Sequence, residues 1–294
     1  MARLLVIQHV PHERLGTFEP VFKEAGCQLV ILNTYHPKAA WPSRVQEMDG
    51  LVVMGGPQGV YEPRKHPFLV EELALLKEAL AARRPVLGVC LGAQLLAEAI
   101  GGPGTVRKAE QQEVGWYSVM REPGAEGDPL FEMFGQTETV FQWHGDTFAL
   151  PKGAVRLASS PLCQEQGFHW RDNVYALQFH VEVTEAIIRA WMQTPVNKAE
   201  LARLRGLVPP PVASRQEAGS APDGAGPTGR RQVVGIVDPT AIRRQSPQHA
   251  GRLQELGRHV ARAFCQLVED QRPETRDRRL TAKKSQVSGL WSQV

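Results

Sequence analysis

Between residues 1 and 100, short apolar runs alternate with segments that have the hydrophobic spacing of a helix. Apolar residues at three- and four-residue steps indicate an amphipathic helix, whereas a short apolar run between turn residues indicates a buried strand. Strands are predicted at 3–8, 28–33, 51–54 and 85–89, and helices at 16–25, 67–83 and 91–100. Strands that alternate with helices form parallel sheets covered on both faces. We therefore expect a three-layer α/β fold, with a mostly parallel sheet between helices.

The pattern changes after the turn formed by residues 101–104. Further short strands are predicted around 116–119, 139–142, 155–158 and 173–179. A helix at 184–192 follows, with Thr184 as its N-cap, because a threonine hydroxyl can accept a hydrogen bond from the first turn of a helix. These strands would bring the end of this region back to the edge where the first strands finish.

Cys90 lies between the apolar run 85–89 and the helix that begins at Leu91. Gly88 and Gly92 flank it, and glycine leaves the space that a sharp strand-to-helix turn needs. The positive N-terminal end of the helix would lower the pKa of the thiol and favour the thiolate. A single cysteine after an apolar strand is also common as a small buried hydrophobe.

A second candidate group follows the predicted strand 173–179, where His180 and Glu182 are separated by one residue. His180 could transfer a proton to and from Cys90, and Glu182 could hold the imidazole in the required tautomer. Alone, such a histidine is usually a surface or capping residue, and such a glutamate a solvated charge. We expect a catalytic unit because the flanked cysteine and the His-x-Glu pair occur in one chain.

Both groups lie in segments that resemble a known family, 88–94 (GVCLGAQ) and 178–184 (QFHVEVT). With 53–59 (VMGGPQG), 113–117 (EVGWY) and 143–148 (WHGDTF), they resemble the class I glutamine amidotransferases, especially stand-alone members similar to the glutaminase domain of GMP synthase. The resemblance covers residues 1 to about 192 and implies a flavodoxin-like sheet. The family usually has proline between the triad histidine and glutamate, where this chain has Val181. Since proline fixes φ, its loss could loosen the His–Glu geometry.

The resemblance implies a role for each matching residue. Cys90 would attack the side-chain amide of glutamine, and the resulting oxyanion would need fixed N–H donors. The candidates are Gly56, in the Gly55-Gly56 turn, and Leu91 at the helix start. Two further residues are implied as substrate contacts, Gln94 for the bound glutamine and Asp146 for its α-ammonium group. His144 is a rival base to His180, ranked lower because it has no carboxylate in the same His-x-Glu form.

Composition limits the other functions. The chain has 34 basic and 31 acidic residues, so its charge gives no indication of a nucleic-acid or membrane partner. Four cysteines lie far apart with no zinc-type spacing, so we predict neither a metal site nor a disulfide framework, and no cofactor. No segment has the length of a signal peptide's apolar core or a membrane span. We expect a soluble, cytoplasmic protein.

The predicted domain organisation has four parts. Residues 1–206 form the catalytic domain, and 207–235, rich in proline, glycine and alanine, form a flexible insertion. Residues 236–268 contain an amphipathic helix, at 248–268, that packs on the domain, and 269–294 form a disordered tail.

Three functions remain open from the sequence. The chain has no G-x-x-x-x-G-K-[ST] loop and no second domain large enough for a synthetase, so released ammonia would need a separate synthetase subunit. The first function is therefore a glutaminase subunit. The second is a hydrolase of γ-glutamyl peptides or related amides. The third is a regulatory or interaction module whose catalysis is impaired by Val181.

Overall fold

The computed structural model describes residues 1–37, 39–42, 44–204 and 238–272. The strands in this part are β1 (Arg3–Gln8), β2 (Gln28–Asn33), β3 (Gly50–Val53), β4 (Val86–Val89), β5 (Val106–Arg121), β6 (Thr137–Phe148), β7 (Ala154–Ser159), β8 (Gly167–Trp170) and β9 (Val174–Leu177). The helices are α1 (Phe18–Glu24), α2 (Phe68–Ala81), α3 (Leu91–Gly101), α4 (Glu185–Trp191), α5 (Pro195–Leu204) and α6 (Pro239–Gln271). Within these residues the strands form one sheet in the order β2-β1-β3-β4-β9-β8-β7-β5-β6.

One half of the sheet is parallel, and its strands β4 and β9 end just before Cys90 and His180. β2, β1, β3, β4 and β9 pair in parallel, so their carboxyl ends share one edge. β3 and β4 are buried along their whole length, which is typical of parallel strands covered on both faces. Because Gly88 pairs with Ala176, the end of β9 lies directly beside the end of β4. The predicted α/β fold is confirmed.

The other half is antiparallel and was predicted in less detail. β5 and β6 form a long hairpin, with a register shift between Lys108 and Glu113. β5 has polar residues over much of its length, so only its apolar part, around residues 116–119, was recognisable in the sequence. β8 and α5 were missed because each is short and neither has a strong apolar pattern.

Helices cover both faces of the sheet. One apolar core joins side chains of α1, α4, α5 and α6 to the sheet, and a second core joins α2 and α3 to the opposite face. Successive side chains of β1 point to opposite faces of the sheet and so belong to different cores. Leu4 and Val6 belong to the first core, and Leu5 and Ile7 belong to the second. These layers are the three that the sequence pattern predicts.

The C-terminal helix is longer than predicted. α6 runs over Pro239–Gln271 instead of 248–268, so residues 269–271 of the predicted disordered tail are helical. The helix begins at Asp238, whose side chain accepts a hydrogen bond from the Thr240 N–H at 2.8 Å. Its buried side includes Phe264, whose ring lies 6.4 Å from that of Phe22 in α1. The predicted insertion 207–235 and tail residues 273–294 lie outside the described residues.

Two predictions from composition can be compared with the fold. Among the described helices, none combines the length and apolar character required to cross a bilayer. The cysteines, distant in sequence, are all free thiols, but folding brings the Sγ atoms of Cys27 and Cys265 to 3.9 Å.

Candidate active site

Cys90 occupies a tight elbow between β4 and α3. Its φ of 53° is unusual for a residue with a side chain, and its N–H donates to the Leu177 carbonyl at 2.8 Å. A Cβ atom on Gly92 would overlap the Val53 carbonyl, and one on Gly88 would lie 2.5 Å from the Gly92 oxygen. Both glycines are therefore required by close packing, and the elbow holds the thiol beyond the end of the sheet.

The end of β9 brings His180 to this thiol. The His180 N–H donates to the Phe141 carbonyl at 2.9 Å, and the ring packs edge-on against Trp191, with 4.8 Å between centroids. His180 Nδ1 lies 2.7 Å from Oε1 of Glu182, and the ring lies on the same cavity wall as the Cys90 thiol, whose sulfur is 3.7 Å from the Trp143 carbonyl oxygen. The three residues predicted to act together thus meet in one buried place.

Burial and charge act against each other in this group. Burial raises the pKa of the Cys90 thiol, although the hydrogen bond and charge of His180 oppose it. Burial alone would lower the pKa of His180, but the Glu182 carboxylate and Cys90 raise it well above its ordinary value. The expected lowering of the thiol pKa is therefore wrong, because burial outweighs the hydrogen bond and charge of His180. A thiolate is favourable here only together with an imidazolium.

The turn after β3 lies against the start of α3. A Cβ atom on Gly56 would come within 2.8 Å of Leu91 Cδ2, and one on Gly55 would lie 3.2 Å from His180 Cε1. Within the described part of the chain, neither the Gly56 N–H nor the Leu91 N–H donates a hydrogen bond. The turn and the helix start thus lie side by side, and the role of their N–H groups as oxyanion donors stays a prediction.

These groups border one cavity of about 310 Å³. Cys90 and His180 lie on its wall with Gly56, Gln94 and Asp146, which the sequence also predicted as site residues. Its volume is at the small end of the range for ligand pockets, which suits an amino acid or a short peptide.

Comparisons with known proteins agree with this geometry. The sequence profile of the glutamine amidotransferase class-I family matches residues 19–189. The chain belongs to the class I glutamine amidotransferase family. This match confirms the family predicted from the motifs. Members of this family are glutamine-hydrolysing enzymes.

Individual relatives show how far the likeness extends. Glutamine amidotransferase-like protein YfeJ of Salmonella typhimurium is 32% identical over 207 residues, which cover 69% of this chain and 84% of YfeJ. The glutamine-hydrolyzing GMP synthase of Wolinella succinogenes is 34% identical over 54% of this chain, but the match spans only 29% of that protein. A crystal structure of a Thermotoga maritima glutamine amidotransferase superposes with a TM-score of 0.71 and 30% identity, covering 90% of this chain and 98% of that one.

The departure from the class I amidotransferase motif leaves the His–Glu pair intact. Val181 is fully buried, and a Cβ atom on Gly257 of α6 would overlap its carbonyl oxygen. The Glu182 carbonyl accepts a hydrogen bond from the Thr17 N–H at 2.7 Å. Packing from α6 and from the loop after β1 therefore holds the turn that proline would have stiffened.

The two implied substrate contacts have different surroundings. Gln94 is buried, and its Nε2 donates to Oε1 of Gln178 at 3.2 Å. Asp146 already accepts from the Tyr61 hydroxyl at 2.9 Å and lies 3.4 Å from Lys108 Nζ. Asp146 therefore presents a carboxylate beside a cation instead of a free acceptor.

His144, the rival base, is bound on both ring nitrogens. Its Nε2 lies 3.0 Å from Glu113 Oε2, and its Nδ1 lies 3.0 Å from the Asp146 carbonyl. His144 lacks a carboxylate in the His-x-Glu form, as the sequence indicates, but folding gives it a carboxylate partner, Glu113, that is distant in sequence. The ranking itself agrees with the structure because no ring nitrogen remains for Cys90.

Glu113 and His144 also form, with Cys163, a buried group whose possible ligand atoms all lie within 4.8 Å of one another. Hydrogen bonds account for this cluster. Glu113 accepts from the Ser160 hydroxyl at 2.8 Å and the Gln166 amide at 2.5 Å. Burial raises the pKa of the Cys163 thiol to about 11.

Several residues that line the cavity or lie near Cys90 were not identified from the sequence. Gln178 Nε2 lies 3.7 Å from the Cys90 sulfur, and Glu13 enters from the loop after β1. Glu200 of α5 accepts from Trp143 Nε1 at 2.8 Å at the cavity rim. The rule that ligands bind beyond the carboxyl ends of parallel strands could have indicated Glu13, which follows β1. No comparable signal exists for α5.

Proposed function

We propose that this chain releases ammonia from glutamine through a γ-glutamyl thioester on Cys90. The observation that supports it is the placement of the Cys90 thiol and the His180 ring on one cavity wall, with His180 Nδ1 2.7 Å from Glu182. In this arrangement Cys90 would be the nucleophile, His180 would carry the proton, and Glu182 would orient the imidazole ring. Gln178, 3.7 Å from the sulfur, adds an amide donor.

The reaction would proceed in two halves. Cys90 loses its proton to His180, and the sulfur attacks the amide carbon to form a tetrahedral intermediate. His180 returns the proton to the nitrogen, the C–N bond breaks, and ammonia leaves with the thioester behind. His180 then takes a proton from water, which attacks the thioester and releases glutamate and the thiol. Glu182 stabilises the imidazolium in both halves.

The oxyanion of each intermediate would be bound by the N–H groups of Gly56 and Leu91. Both donors lie beside the elbow, where the absence of a side chain at Gly55 and Gly56 lets Glu13 and Leu91 pack closely against the turn. Loss of one such donor typically costs about 2.7–4 kcal/mol of transition-state stabilisation.

The other end of glutamine is an amino acid zwitterion, and the cavity offers both charges for it. Asp146 would accept the α-ammonium group, while Lys108, 3.4 Å from that carboxylate, would bind the α-carboxylate. Gln94, next to Gln178, would contact the side chain of the substrate. This assignment keeps the charges of Asp146 and Lys108 paired in the complex.

The test is ammonia and glutamate release by the full chain, combined with mass spectrometry of Cys90 after treatment with an electrophilic glutamine analogue. We expect turnover and a single label at Cys90, both lost in Cys90→Ala. Cys163→Ala is the matched control, because it removes another buried thiol that contacts Thr147 instead of His180. Failure of the analogue to label Cys90 would instead favour the module without catalysis.

A second candidate is hydrolysis of γ-glutamyl peptides, and the position of α5 favours it. Val196, Asn197, Glu200 and Arg203 extend the cavity wall beyond Asp146. A substrate longer than glutamine could use this extension, with Arg203 near a terminal carboxylate. Activity on γ-glutamyl dipeptides that exceeds activity on glutamine would select this function.

The partner and the location remain proposals. A separate synthetase subunit is proposed as the user of the ammonia, and the match to the Wolinella GMP synthase spans 29% of that protein. Co-purification of the tagged chain from its own cells tests this. A nucleophilic thiol requires reducing conditions, which favours the cytoplasm, and cell fractionation checks it.

A further inference from the structure

Glu13 lines the same cavity as Cys90 and His180 but has no part in the mechanism above. A Cβ atom on Gly55 would overlap its Oε2 atom and lie 3.2 Å from His180 Cε1. The carboxyl group therefore occupies a gap beside the imidazole that glycine at position 55 leaves open. Within the described residues, this carboxyl group forms no hydrogen bond and no ion pair.

The loop that carries Glu13 is attached to the catalytic turn on both sides. Trp191, which packs against His180, donates from Nε1 to the His12 carbonyl at 2.9 Å. The Thr17 N–H donates to the Glu182 carbonyl at 2.7 Å. The position of Glu13 relative to the triad is thus determined by direct contacts with the triad's own surroundings.

We propose that Glu13 is a positioning residue of the Cys90 site, whose charge controls how readily the thiolate forms. A carboxylate beside the thiol–imidazole pair repels the thiolate and attracts the imidazolium. The groups that face Glu13 are His180 and Glu182 after β9, Cys90 before α3, and His9 after β1. His9 is held by Glu72 of α2 at 3.0 Å.

Glu13 changes its charge in the range where the enzyme would work. Burial raises the pKa of Glu13 to about 7, with a further contribution from Glu182, while His180 and His9 oppose the rise. The group is therefore neutral below that pH and charged above it. In its charged form Glu13 raises the pKa of the Cys90 thiol. Above neutral pH the charged carboxylate therefore repels the Cys90 thiolate directly, and below it this repulsion is absent.

The test compares alkylation of Cys90 by iodoacetamide in the wild type and in Glu13→Gln, over pH values on both sides of about 7. Glutamine matches the neutral acid in size but never ionises. We expect equal rates below the Glu13 pKa and a severalfold faster reaction of Glu13→Gln above it. Glu24→Gln, which removes an exposed charge from α1, should match the wild type throughout.

A rate ratio that does not change with pH would overturn the proposal, since a structural role would alter both ranges equally. If Glu13→Gln does not fold, the pH profile of Cys90 alkylation in the wild type tests the proposal. Its Cys90 alkylation profile should have a second inflection near the Glu13 pKa, and a single titration would contradict the role. The inference concerns the site of the proposed function, but alkylation requires no turnover. The alkylation result can therefore be interpreted even if the chain has no glutaminase activity.

Discussion

Two buried histidine–carboxylate pairs in this molecule have similar composition but different surroundings. His180 lies 2.7 Å from Glu182 and His144 lies 3.0 Å from Glu113, and all four side chains are at most 1% exposed. The second nitrogen of His144 is bound by the Asp146 carbonyl, whereas that of His180 faces the Cys90 thiol. Such a pair can therefore serve as a structural link or, in the proposed mechanism, as a proton carrier, depending on whether one ring nitrogen stays available.

A third pair supports this view. His9 lies 3.0 Å from Glu72, and its Nδ1 lies 2.9 Å from the carbonyl of Gly55, in the turn beside the thiol. Both nitrogens are again occupied, so His9 supports the turn and has no site for proton transfer. A buried His–Glu contact is therefore weak evidence for catalysis unless the position of the other nitrogen is known.

The sharpest test replaces each histidine by glutamine. We expect His180→Gln to lower turnover by about 10⁴-fold or more, because proton transfer to and from Cys90 is lost. His144→Gln should retain turnover far better, but lower the free energy of unfolding by about 1–3 kcal/mol through lost buried hydrogen bonds. Ammonia release and urea denaturation measure the two effects. Equal loss of turnover would remove the distinction between the pairs.

Replacing the carboxylates gives the next largest effect. Glu182→Gln should lower turnover by about 10²–10⁴-fold while the fold remains, because an amide cannot stabilise the imidazolium. In Glu113→Gln the amide would face the donors of Ser160 and Gln166, so stability should fall more than turnover. Steady-state kinetics with circular dichroism check both variants. Unchanged turnover in Glu182→Gln would exclude Glu182 from the mechanism.

The pH dependence of the unfolding free energy tests whether folding raises the pKa of His180. The folded pKa of His180 lies well above its unfolded value of 6.5, so its pairing stabilises the folded state fully below pH 6.5. This contribution is lost as the pH rises through the folded pKa. The difference in unfolding free energy between the wild type and His180→Gln should therefore shrink with rising pH in urea titrations. A constant difference would mean that the pKa of His180 is the same in the folded and unfolded protein.

The smallest effect is expected for Val181→Pro, which restores the residue usual in the family. If the turn accepts the φ of proline, the free energy of unfolding should rise by about 0.4–1 kcal/mol, with little change in turnover. Thermal unfolding and the ammonia assay measure these. A large gain in turnover would show that valine loosens the His180–Glu182 contact, contrary to the packing by Gly257 and Thr17.

Local patterns were sufficient for the parallel half of the fold and for the residues at its edge. The alternation of strands and helices up to Gly101 follows from hydrophobic spacing, and the elbow at Cys90 follows from its flanking glycines. Thr184 was also predicted from its type and place, and its hydroxyl accepts from the Ile187 N–H at 3.3 Å. Short-range rules apply here because each feature depends on neighbours in the chain.

The antiparallel half and the cavity wall depend on contacts between distant residues. β8 is four residues long, and its strand character comes from pairing with β7 and β9. α5 contributes Glu200 to the rim through Trp143, a contact that no local pattern encodes. Glu113 was unrecognisable as the partner of His144 because the two residues meet across the β5–β6 hairpin.

The amino-acid sequence by itself determined the family, the α/β layers, and the cysteine, histidine and glutamate that meet at one edge. Only the tertiary structure decided which histidine keeps a free nitrogen, how burial shifts the thiol pKa, and that Glu13 lies beside the imidazole. The physical reason is that motifs record residue types along the chain. Solvation, charge and hydrogen-bond occupancy depend instead on all the groups that folding brings around an atom.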